Sequence, residues 1–89
     1  MHEDFDAEDA TRRAQRHSAE LIDRLASLAD QVAESEEKVA QAYDASARLR
    51  PHAAERLNRA ARDAREFAER ERRHARRVRE DNARADRES

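Results

Sequence analysis

One proline, Pro51, is the sole strong helix breaker in a chain of 89 residues that contains no glycine. Proline lacks an amide hydrogen and pushes the residue before it, here Arg50, out of the helical region, yet it suits the first turn of a new helix. The chain therefore divides near its middle into two long segments, neither with an internal stop. Without glycine the primed turns of tight β-hairpins are hard to form, and so are the glycine-rich loops that let backbone approach a phosphate. Rossmann and P-loop nucleotide sites are excluded on that ground. With no cysteine, disulfides, zinc–thiolate centres and thiol nucleophiles are excluded as well.

What fills the two segments decides between helix and disorder. Only 11 residues are Leu, Ile, Val or Phe, while 45% of the chain is charged. Disorder is favoured by low hydrophobicity combined with high net charge. Here 19 cations nearly balance 21 acids, for a net charge of −2. Alanine (20 residues) and arginine (18) dominate, and both are strong helix formers. Acid-then-base pairs recur at helical spacing, among them Asp9–Arg13, Glu34–Lys38, Glu55–Arg59 and Glu69–Arg73. Each such pair stabilises an exposed helix by ~0.2–0.5 kcal/mol. An all-α chain follows.

The expected architecture is a helical hairpin of two long antiparallel helices, in the manner of a coiled coil. A frayed acidic opening (1–6) precedes a single domain over 7–86. Within it, one helix covers about 7–48, a turn covers 49–51 and a second helix covers about 51–84; 87–89 form a tail. In the first helix Leu21 and Leu28 lie on one seven-residue row, and Leu25, Val32 and Val39 lie on a second row offset by four, the signature of a coiled-coil seam. Ile22, Ala29 and Tyr43 widen it. The second helix offers Leu57, Ala61, Ala64, Ala68, Ala75 and Val78, with Phe67 alongside. Folding about Pro51 then places Leu25 opposite Ala75, Val32 opposite Ala68, Val39 opposite Ala61 and Leu57 opposite Ala42. Large residues are expected to meet alanine across the seam.

One partner helix cannot cover so wide a stripe, and a lone hairpin exposes most of its surface. Self-association about a two-fold axis into a four-helix bundle is the simplest remedy, and a helical partner protein is the other. No segment is apolar enough to cross a membrane, and no signal-peptide core is present. The expected role is a non-enzymatic protein–protein interaction module in the cytoplasm, a homodimer acting as regulator, adaptor or assembly subunit. No cofactor is expected. The serines lack a nucleophile elbow, which needs glycine.

Two clusters support other roles. Arg72, Arg73, Arg76, Arg77 and Arg79 lie in the run 70–79, where Glu71 is the lone acid, and arginine forks suit phosphate oxygens. A nucleic-acid contact is the alternative they raise. Against it stand an isoelectric point near 6.1 and the lack of interleaved aromatics. By halves, seven cations against twelve acids leave residues 1–50 at −5, and twelve against nine leave 51–89 at +3. An inter-helix charge zipper follows from that asymmetry. The second cluster is Glu71-x-x-His74, whose spacing puts two ligands on one helix face. This four-residue motif resembles the encapsulated ferritins, two-helix hairpins that complete a metal site by dimerising. The resemblance implies Glu71 and His74 from two chains joined by Glu34 or Glu37. Read without it, Glu71 is a polar seam residue that sets register or pairs with an arginine such as Arg24.

Overall fold

The computed structural model describes residues 2–88; Met1 and Ser89, at the ends of the expected frayed opening and tail, lie outside the described residues. Helix α1 runs from His2 to Leu49, 48 residues, and α2 from Ala54 to Glu88, 35 residues. α1 extends past both expected boundaries and α2 past its expected end, while α2 begins at Ala54, three residues later than expected. Arg87 sits in the last turn of α2, where a cation is favoured.

The turn is short. Arg50 alone is non-helical, with φ −131° and ψ 76°, outside the α region that proline disfavours in its predecessor. Its amide donates to the Ser46 carbonyl at 3.0 Å, which closes α1. Pro51–Ala53 then form one 3-10 turn, tied by the Ala53 amide to the Arg50 carbonyl at 2.9 Å. This connection reverses the chain, and the helices pack antiparallel along their length. The result is a two-helix ribbon of 76 × 17 × 11 Å.

Every buried residue among those described is an alanine: 26, 29, 33, 40 and 47 on α1, 53 in the turn, and 61, 64, 68 and 75 on α2. Ala26 and Ala29 pack on Ala75, with Val78 beside them, and Ala40 packs on Ala61 and Ala64. The register agrees with the expected fold about Pro51 to within one residue, but the face of α1 is different. Leu25, Val32 and Val39 do not fill the seam as the large-against-alanine pairing expects. They are 62%, 42% and 41% exposed. Leu21, Leu28, Tyr43 and Phe67 are exposed as well, and Ile22, Leu57 and Val78 are half-buried. Ala61, Ala64, Ala68 and Ala75 are buried as expected, Ala61 and Ala64 with Ala40 and Ala75 with Ala26 and Ala29.

Candidate functional site

The alanine seam divides the ribbon into two flanks of opposite chemistry. On one flank, α2 presents Arg65, Arg72 and Arg79 at seven-residue intervals, and α1 presents Asp44, Glu37 and Asp30 at the same interval in reverse. Arg65 Nη2 donates to Asp44 Oδ2 at 2.6 Å, Arg72 Nη1 to Glu37 Oε1 at 3.0 Å, and Arg79 Nη1 to Asp30 Oδ2 at 2.6 Å. Secondary contacts knit the rungs together: Arg65 lies 3.9 Å from Glu37 and Arg79 3.9 Å from Asp23, and Arg79 also reaches the Ser27 hydroxyl. The hydrogen bond from Arg65 holds the Asp44 carboxyl below its ordinary value of 3.8, against the opposing effect of desolvation. The same bond raises the pKa of the Arg65 guanidinium above its ordinary value.

This ladder accounts for much of the arginine run. Arg72 and Arg79, two of the five residues considered for phosphate contact, are bound to α1 carboxylates. Arg73 and Arg76 share Glu69, at 3.9 and 3.5 Å. Arg77 is exposed on the surface of α2. The charge zipper expected between the helices is formed. The acid–base pairs within helices form at Asp9–Arg13, Glu34–Lys38 and Glu55–Arg59.

The other flank is apolar. Leu21, Leu25, Leu28 and Val32 line α1 at alternating steps of four and three residues, so they share one face. Val39 and Tyr43 continue it toward the turn, and Phe67 stands on α2 with the Arg70 guanidinium 5.8 Å from its ring. Between the helices this flank dips into a groove of about 700 Å³, walled by Ile22, Leu25, Leu28 and Val32 on one side and by Glu71, His74 and Val78 on the other. Its lining is mainly hydrocarbon, and among the described residues no buried polar side-chain atom lacks a partner.

Glu71 and His74 belong to this groove, one half-buried and the other exposed. The metal candidates are not brought together. Glu37 is on the ionic flank with Arg72, and Glu34 pairs with Lys38 on the outer surface of α1. Among the described residues no three His, Asp or Glu side chains converge as a metal site. Nor does Glu71 pair with Arg24: no ion pair involves Glu71 among the described residues, and Arg24 is exposed. Asn82 is the polar seam residue that does make a contact across the helices. Its amide donates to the Ala19 carbonyl at 3.1 Å.

One signal for this arrangement lies in plain sight. Alanine recurs at 19, 26, 33, 40, 47, 54, 61, 68 and 75, every seven residues and in phase straight through the turn. The row at 30, 37, 44 and 65, 72, 79 has the same period and changes from acid to arginine at Pro51. No protein-family model, no curated protein and no solved structure matches the chain. Among the described residues no helix is long and apolar enough to cross a membrane.

Proposed function

We propose that the protein is a non-enzymatic interaction module, a helical hairpin that self-associates through its apolar flank. The observation that carries this reading is the inversion of its hydrophobicity. Alanine methyls fill the interior, and the large apolar side chains stand outside on one flank. Burying a methyl group stabilises by about 0.8 kcal/mol, and burying a leucine, valine or phenylalanine by ~1.5–3 kcal/mol. The flank side chains are 36–62% exposed, so a substantial part of their apolar stabilisation is held in reserve. A second apolar surface laid on the flank releases it, and a two-fold partner supplies such a surface without any other protein. Contiguous apolar patches of this kind mark association sites.

Sedimentation equilibrium on the full chain tests the reading. The expected result is a dimer at micromolar concentration. Val32→Asp and Phe67→Asp, which alter side chains that the hairpin does not bury, are expected to weaken the dimer more than tenfold. A wild-type chain that sediments as a monomer throughout this range, with cooperative unfolding, refutes it.

A further inference from the structure

We infer that the second copy docks antiparallel, with the two-fold axis over the groove near residues 26 and 27, so that the basic turn of each copy lies along the acidic start of the other. This deepens the preceding reading and rests on it. Three independent features set the orientation.

The first is the order of large residues on the exposed face of α1. Leu21, Leu25, Leu28 and Val32 have the same spacing read in either direction about a point between residues 26 and 27. Antiparallel copies centred there pair Leu25 with Leu28 of the second copy and Leu21 with its Val32. Moving outward, the same register brings Ser18 to Ser35, Ala14 to Val39, Thr11 to Ala42 and Ala7 to Ser46, so at least one partner in each layer is small. Bulk is concentrated at the axis and the helices can approach at both ends.

The second is length. α1 spans His2–Leu49, so its midpoint falls at the same level as the groove. Asn82 is level with Ala19, which leaves roughly the first eleven residues of α1 beyond the end of α2. That overhang is a single helix with nothing beside it among the described residues. In the centred antiparallel dimer, the turn end of the second copy comes level with that overhang.

The third is charge. Residues 3–9 carry five carboxylates and no cation, whereas residues 45–62 carry five arginines and one glutamate. Asp6 and Glu8 at the overhang are exposed, as are Arg50 and Arg56 at the turn. The antiparallel arrangement sets these opposite charges side by side at both ends of the dimer. A parallel arrangement would set arginine against arginine and carboxylate against carboxylate, a juxtaposition that excludes the wrong orientation.

The chain has no native cysteine, so single introduced thiols report on neighbours. Ala10→Cys and Ala45→Cys replace exposed alanines that the proposed register brings to within two residues of level, about 3 Å along the axis. Mixed and oxidised, the two variants are expected to form a 10–45 disulfide, while Ala45→Cys alone stays uncrosslinked. In parallel, Arg50→Glu/Arg56→Glu and Asp6→Lys/Glu8→Lys are each expected to weaken the dimer at least tenfold at low salt, with helix content unchanged by circular dichroism. An equimolar mixture of the two is expected to recover a dimer. A 45–45 disulfide, or dimers indifferent to both charge reversals, overturns the antiparallel arrangement and leaves self-association standing. A wild-type monomer overturns both.

Discussion

The two flanks of the alanine seam use the same seven-residue period for opposite ends. On the ionic flank, each arginine of α2 reaches a carboxylate of α1, and the long side chains lie across the seam and finish its edge. On the apolar flank, Leu25, Leu28 and Val32 stay 62%, 53% and 42% exposed. One flank is complete within a single chain and the other is not. The contrast shows how a hairpin this thin separates its tasks. Alignment of its own helices is assigned to charge and to small residues, and the large hydrophobic groups stay exposed on the flank where we propose that a second copy docks.

Tests that break the comparison follow in order of expected effect. Ala68→Leu strikes the seam that both flanks share. Ala68 is 0% exposed, as is Ala33 at the matching step of the register. A leucine there must force the helices apart, at a cost of about 1–3 kcal/mol for an overpacked site. A fall in thermal midpoint and loss of the ion-pair ladder are expected by circular dichroism and NMR; an unchanged midpoint would show that the seam is looser than the structure has it.

The ionic flank alone is addressed by a double-mutant cycle on Arg72 and Glu37. Both side chains are about a third exposed, at 36% and 30%. Partly exposed pairs typically contribute ~0.2–1 kcal/mol, so the coupling is expected in that range and should shrink with added salt. Self-association should be nearly unaffected, because these residues face away from the apolar flank. A coupling that is indifferent to salt counts against an electrostatic role.

The smallest effect is the acid limb of stability. The folded Asp44 carboxyl has a pKa below its ordinary 3.8. A group depressed in this way binds its proton more readily when unfolded. Its contribution is therefore complete above about 3.8 and is lost as pH falls through the lower folded value. Asp44→Asn should flatten the decline in stability between neutral pH and the acid range, measured by thermal unfolding at stepped pH. The same slope in wild type and variant would remove Asp44 as a contributor.

Much of this protein follows from local chemistry. Alanine and arginine without glycine make helix, Pro51 ends one helix and opens the next, and two long helices joined by a short connection fold back on each other. The opposite charge of the two halves points to the zipper that Arg65, Arg72 and Arg79 form. These are consequences of propensity, sterics and sign, and they depend on neighbours along the chain. The axial register is legible for the same reason, since the turn allows little slack.

Which face of α1 turns inward is decided only by the tertiary structure. Two seven-residue rows lie side by side on α1, Leu25, Val32 and Val39 next to Ala26, Ala33 and Ala40, and each could form a seam by its spacing. Read one residue at a time, hydrophobicity favours the larger row. Packed against α2, the alanine row wins because methyl against methyl lets the backbones approach, and because this rotation brings Asp30, Glu37 and Asp44 within reach of the arginines. Turning the leucines inward would carry those carboxylates away from their partners. Burial strength belongs to a residue; the choice of what to bury belongs to the pair of helices, because only their joint geometry satisfies both the small row and the charged one.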